Sequence, residues 1–227
     1  MQSPNMSKRL TTVKAPTIDS YQIVERYEAA HLGAPFKVIL HNAVRQYIDA
    51  DTGKVLRTQI PNLSGLRKEV ALSRCLDPRK LNGLELKFVR KAIGLKAVEL
   101  SSLLDITPEH LSRCEGGDRL LSGAAEKLLR VIVLKRTHIL ADFVSEILDD
   151  LKERDVQVGN IENIQSTLTT YRDCIADLES KVLKMDIEAA FDPNDILEFS
   201  FRIKDLKKNP ATSTQEDDAK WQMAEAA

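Results

Sequence analysis

Apolar residues recur at three and four positions from Leu84 to about Leu151, interrupted only at Gly94, Asp105 to Pro108 and Gly116-Gly117, which predicts a row of short helices. Upstream the pattern changes. From Pro35 the segment FKVILHNAVRQYIDADTGKVLRTQI is rich in β-branched residues, and DADTGK supplies Asp and Gly for a reversal, which predicts a hairpin. NLSGLRKEVALSRCL follows with Leu63, Leu66, Val70 and Leu76 at roughly helical spacing, a short amphipathic helix ending before Asp77-Pro78. Further on, TLTTYRDCIADLESKVLKM places Leu168, Tyr171, Ile175, Leu178, Val182 and Met185 at alternating spacings of three and four. So short a seam fits either one helix packed on its own domain or half of a coiled coil, and it is the candidate dimerisation contact. The first residues and the tail after Lys208 have no apolar period to anchor them. Disorder is expected in both, with Trp221 a candidate docking residue in the tail.

These patterns divide the chain into five stretches. They are a largely disordered arm (1–34), a small α+β hairpin unit (35–80), a helical module (81–138), a helical carboxyl region (139–208) and a disordered tail (209–227). With 43% hydrophobic and 30% charged residues, the composition is that of a soluble globular protein. The basic amino terminus has no apolar run behind it, and no stretch is long and apolar enough to span a bilayer. A cytoplasmic protein without membrane partners is therefore expected.

Net charge is −1 but unevenly spread. Residues 1–80 hold 13 Lys+Arg against 7 Asp+Glu, residues 81–138 hold 10 against 7, and residues 139–227 hold 10 against 20. A basic front suits phosphate, and an acidic back suits solvent or a protein partner. Cys75, Cys114 and Cys174 are far apart, so they are read as reduced thiols rather than a disulfide framework or zinc ligands. His31, His41, His110 and His138 have no metal-binding spacing, so neither metal nor cofactor is expected.

The informative stretch is LKFVRKAIGLKAVELSSLLDITPEHLSRCEGG, residues 86–117, which divides into three short helices with tight connections. In a helix-turn-helix the second helix needs an apolar and a small residue side by side where the third crosses it, and Leu100 and Ser101 supply that pair. Leu103, Leu104, Ile106 and Leu111 are expected to close the core. Asp105 sits at the sharp turn, where Asp tolerates the left-handed conformation better than most residues. Thr107 is a natural N-cap with Pro108 at the first helical position, and glycine ends the helix at Gly116.

Over about fifty residues the pattern RxxxGLxxxELxxLLxIxxxxLSRxExG resembles the Cro/repressor, or Xre, family of helix-turn-helix domains. More closely, IPNLSGLRKEVA followed by LNGLELKFVRKAIGL resembles zinc-finger/helix-turn-helix regulators related to MqsA-type antitoxins. This chain has no cysteine before Cys75, so the zinc unit of those relatives does not carry over. The fold class expected is mainly α with a small β-hairpin: an Xre-type helix-turn-helix bundle preceded by a small α+β unit and followed by helices.

The resemblance implies that the base-reading residues come from the third helix: Glu109, His110, Ser112 and Arg113. Arg113 is the leading base reader, because a guanidinium donates two hydrogen bonds to guanine O6 and N7; Glu109, one turn earlier, would accept from cytosine. Lys96 and Thr107 are phosphate candidates, as are Lys87, Lys91, Arg119 and Lys127, with solvated lysine the even alternative. Lys96-Ala97 stands where relatives often have Ser-Gln, which shifts binding toward phosphate contact. Arg90 and Glu115 match the family's buried ion pair, and Cys114 reads as a small core residue.

The function expected is a homodimeric, sequence-specific regulator of transcription acting on double-stranded DNA as a repressor or autoregulator. The alternatives are an antitoxin that represses its own operon while its acidic carboxyl half binds a protein partner, and an interaction module that has lost DNA binding. No nucleophile–base pairing, phosphate loop or metal spacing supports an enzyme.

Overall fold

In the computed structural model, residues 21–137, 161–187, 197–203 and 220–224 are described, and the side chains of 161–168, 171 and 172 lie outside that description. A long β-branched strand organises the sheet. β2 (Lys37–Ile48) pairs antiparallel with β1 (Tyr21–Glu28) along one edge. Its other edge is shared: β3 (Val55–Gln59) pairs antiparallel with residues 45–48, and β4 (Glu198–Ile203) pairs parallel with residues 37–40. β5 (Trp221–Met223) pairs antiparallel with β4 and completes a mixed, five-stranded sheet.

Two local devices shape it. The β1–β2 register slips between Val24 and Arg26, opposite Asn42, whose φ of 51° is the left-handed conformation of a bulge residue. The β2–β3 reversal is tied by the Asp49 carboxylate, which accepts from Thr52 N at 2.8 Å and Asp51 N at 2.9 Å. Those backbone donors hold the Asp49 carboxyl below the usual carboxylate range.

Six α-helices lie among the described residues: α1 (Leu63–Leu76), α2 (Gly83–Ala92), α3 (Ala97–Leu103), α4 (Pro108–Gly116), α5 (Gly123–Thr137) and α6 (Ile161–Lys184). None is long and apolar enough to cross a membrane. One continuous core joins sheet and helices, drawing on Val38, Leu40 and Val44 of β2, Phe201 of β4, Leu66 and Val70 of α1, Val89 of α2 and Leu129 and Val133 of α5. Phe36 stands at the seam, its ring 5.7 Å from Phe88 of α2 and 5.2 Å from Phe199 of β4, both edge to face.

The expected fold class is overturned. A helical bundle preceded by a small hairpin does not describe this chain, because β2 and β3 belong to the five-stranded mixed sheet. The stretches read as arm, helical region and tail supply its other strands. Residues 21–28 of the arm are β1 and Ala30–Leu32 form a helical turn; residues 198–203 of the carboxyl region are β4; residues 221–223 of the tail are β5. Residues 1–20, 138–160, 188–196, 204–219 and 225–227 lie outside the described residues. The physical reason for the miss is that β4 pairs with a strand far away in sequence, and such pairing leaves little trace in local periodicity.

The seam on α6, the candidate dimerisation contact, meets its own chain at one end. Its carboxyl end lies against its own chain, with Val182 buried, Leu178 packed on the core and Met185 Sδ 3.2 Å from Arg130 Nη1 of α5. Lys135 of α5 meets Glu179 of α6 at 3.2 Å. Ile175 is half-buried, and the side chains of Leu168 and Tyr171 fall outside the described ones.

Trp221 is buried rather than a free docking residue, and its indole Nε1 donates to Pro61 O at 3.2 Å and Asn62 O at 3.1 Å at the start of α1. Trp221→Ala is expected to cost about 3 to 5 kcal/mol of stability in chemical denaturation followed by circular dichroism. A loss below about 1 kcal/mol would place this side chain outside the core.

Candidate nucleic-acid interface

The site is built on α2, α3 and α4. α2 opens with a reciprocal cap: Asn82 Oδ1 accepts from Glu85 N at 2.9 Å, and Glu85 Oε2 accepts from Asn82 N at 2.8 Å. Gly83 then meets the end of α4, where an added Cβ would lie 2.5 Å from Cys114 O and 2.8 Å from Gly117 N. Those are backbone atoms, so only glycine lets α2 and α4 come this close. Arg90 on α2 donates to Glu115 on α4 through Nε (2.5 Å) and Nη2 (2.9 Å), and its Nη1 donates to Leu95 O at 2.9 Å. The Glu115 hydrogen bonds raise the Arg90 pKa still further, so the guanidinium of this bidentate contact stays charged.

α3 buries Leu100 and Ser101 side by side, with Ser101 Oγ donating to Val98 O at 3.0 Å. Glu99 Oε2 accepts from Lys96 N at 2.8 Å at its start. The chain then turns through Asp105 at φ 52°, and Ile106 N donates back to Ser101 O at 3.0 Å. Thr107 Oγ1 accepts from His110 N at 3.2 Å, Pro108 takes the first position of α4, and Gly117 at φ 89° caps the other end.

Both ends of α4 are thus fixed, and one face is sealed by the buried Leu111 and Cys114. The opposite face presents Glu109, Ser112 and Arg113, all exposed, with His110 half-buried beside them. Spacings of three and four place those three side chains on one helical surface. Lys96, Thr107 and Arg119 are exposed near its ends. Lys87 and Lys91 lie one turn apart on the exposed stripe of α2, away from the Gly83, Leu86 and Arg90 side that is buried toward α4; Lys127 is half-buried on α5. Leu103, expected in the core, is 48% exposed instead. In so short a helix the Leu100 and Leu104 stripe fills the core, and Leu103 points off it.

Sequence reasoning missed a buried charge cluster beneath this site. Arg74 of α1 donates to both carboxylate oxygens of Glu85, Nε to Oε1 at 2.8 Å and Nη2 to Oε2 at 3.0 Å. Glu126 of α5 receives Arg130 Nη2 at 2.8 Å, Lys80 Nζ at 3.0 Å and Leu81 N at 3.0 Å. Both guanidiniums also donate to carbonyls of the α1–α2 link, Arg74 to Arg79 O and Lys80 O and Arg130 to Asp77 O and Arg79 O, and Arg130 reaches Cys75 O in the last turn of α1 as well. Within that link Asp77 is raised by burial, but the hydrogen bonds from Arg79, with the charges of Arg74 and Arg79, outweigh this and hold it below the usual carboxylate range. The available signal was a charge on an apolar stripe, since Arg74 follows Leu66 and Val70 at helical spacing and Arg130 precedes Val133 by one turn.

Among the described residues no group of three or more His, Cys, Asp and Glu is placed to hold a metal ion. Neither a family model, nor a curated protein, nor a solved structure matches the chain.

Two outcomes follow from this geometry. Glu85→Leu is expected to cost about 3 to 5 kcal/mol, because it strands the Arg74 guanidinium in the interior, and Arg74→Met added to it should recover most of that loss. If the two losses simply add in denaturant titrations, the pair is not coupled. The thiols should also separate. Burial pushes Cys75 up to about 12 and raises Cys114, whereas Cys174 is exposed on α6. A disulfide reagent at mildly alkaline pH should therefore modify Cys174 at once and the other two only after denaturation, and prompt labelling of Cys75 would contradict its burial.

Proposed function

We propose that this protein is a sequence-specific DNA-binding regulator of transcription, in which α3 and α4 act as a helix-turn-helix and α4 enters the major groove. The observation that carries the reading is the mounting of α4. The helix is capped at both ends, clamped through Arg90–Glu115 and sealed on one face, while Glu109, Ser112 and Arg113 are left outward. The Cro/repressor resemblance is part of the same proposal and rests on the residue pattern alone.

In this reading Arg113 reads guanine, Glu109 accepts from cytosine, and Ser112 and His110 make lesser contacts to base edges. Lys96, Thr107 and Arg119 meet phosphates at the ends of α4, and Lys87, Lys91 and Lys127 add charge farther out. One nine-residue helix reaches few base pairs, so selective binding calls for two copies on a palindromic site. The carboxyl end of the α6 seam is engaged inside the chain, so that dimer contact is not assigned to it.

A specific observation favours a second reading, a protein-interaction module. Leu84, Val98, Leu103 and Leu120 on and beside these helices are 65%, 67%, 48% and 56% exposed. Apolar side chains on a surface otherwise suited to phosphate are expected of a protein contact.

Selection of bound duplexes from a random pool separates the two. The DNA reading expects an enriched palindromic site, with Arg113→Ala weakening that site by about 1 to 3 kcal/mol and leaving random duplex nearly unchanged. No enrichment, or equal losses on selected and random duplex, would overturn it.

A further inference from the structure

The sheet carries a second surface that the helical site does not use. Register across three strands puts Tyr21, Tyr47 and Arg57 in one row and Ile23, Arg45 and Gln59 in the next, on the same face. The two tyrosine rings lie 5.9 Å apart, tilted by 53°. The Arg45 guanidinium carbon is 5.2 Å from the centre of the Tyr21 ring, and that of Arg57 is 5.5 Å from the centre of Tyr47. The Tyr47 hydroxyl donates to Gln59 Oε1 at 2.9 Å. Tyr21 is 42% and Ile23 48% exposed, Arg57 is exposed, and Arg45 and Tyr47 are half-buried.

We propose that this tyrosine–arginine ladder is a stacking platform for single-stranded nucleic acid. Cross-strand cation–π pairs contribute to the sheet itself, and here they also hold ring and guanidinium planes in fixed orientations at the surface. Such planes stack on the faces of bases, and the exposed Arg57 brings the positive charge that a phosphate backbone requires. Lys54 adds to that charge from the β2–β3 reversal. Among the described residues the facing acids are Glu25, two positions beyond Ile23 on β1, and Asp49 and Asp51 in the reversal, with Asp49 occupied by backbone donors. A row across three strands spans about 10 Å, enough for two bases. Duplex DNA does not suit this face, because its bases show only their edges, and the major groove admits a helix or a two-stranded ribbon rather than a broader sheet.

The inference does not rest on α4 binding duplex, and the two fail separately. The test is fluorescence anisotropy on the full chain at about 0.1 M salt, with thymidine and uridine homopolymers of about fifteen nucleotides, an abasic strand of equal length and a random duplex. The homopolymers should bind at least about fivefold more tightly than the abasic strand, and whichever homopolymer binds better identifies DNA or RNA as the source. Tyr21→Leu and Arg57→Gln should each weaken homopolymer binding by about fivefold or more, while Tyr21→Phe, which keeps the ring, stays within about twofold. Arg57 is exposed, so its variant reports even where a tyrosine substitution disturbs the sheet. Equal affinity for abasic and base-carrying strands, unchanged binding by Tyr21→Leu and Arg57→Gln, binding of duplex alone, or binding of no oligonucleotide would overturn the proposal.

Discussion

Arg74 and Arg130 carry full charges into the interior, both completely buried, and the connection between sheet and helices depends on how those charges are met. Each finds a carboxylate, Glu85 on α2 and Glu126 on α5, and each also donates to backbone carbonyls at or just beyond the end of α1. The link from α1 to α2 has no regular ladder of its own, so its carbonyls need side-chain donors. Burying ion pairs returns little net stability, because desolvation offsets the attraction. What it does impose is register. If α1 slides one turn along α5, Arg74 is drawn away from Glu85 and Arg130 keeps Glu126 but loses the carbonyls of Cys75, Asp77 and Arg79, an error far costlier than a shifted leucine.

This register matters because α1 touches both halves of the molecule. Its start receives Trp221 from β5, its apolar face joins the core shared with β2, and its end delivers Arg74 to the first turn of α2. Glu85 has two duties there, capping α2 through Asn82 N and accepting Arg74. From α2 the positional constraint passes to α4 through Gly83 and Arg90–Glu115. The exposed face of α4 is thereby oriented by a chain of short-range contacts that begins at the sheet.

Features set by neighbours in sequence were legible in it. The Thr107 cap, the left-handed turn at Asp105, the Leu100–Ser101 crossing and the DADTGK reversal each depend on residues within a few positions. The sheet was not legible beyond its hairpin. β1 is a largely exposed edge strand without apolar alternation, β5 has three residues, and β4 finds its place by parallel pairing with residues 37–40. The seam on α6 left two readings open, because an apolar stripe at heptad spacing is the same whether it faces a second copy or its own α5. Tyr21, Tyr47 and Arg57 lie too far apart in sequence to suggest a cluster until the strands are paired.

Charge is where sequence and surface diverge most. Of the cations in residues 81–138, Arg90 and Arg130 are consumed by Glu115 and Glu126, and Lys135 faces Glu179. Lys87, Lys91, Lys96, Arg113 and Arg119 remain exposed on the α2–α4 module, against the exposed acids Glu99, Asp105, Glu109 and Asp118. Such a near balance gives weak attraction to phosphate at long range, so α4 would depend on close contacts rather than on a broad positive field. Glu109 sharpens that dependence. On the proposed recognition face a carboxylate would repel phosphate unless a base donor met it, which would turn an electrostatic cost into selectivity among sites. If α4 enters the groove as proposed, affinity and specificity on this surface would be governed by the same few side chains.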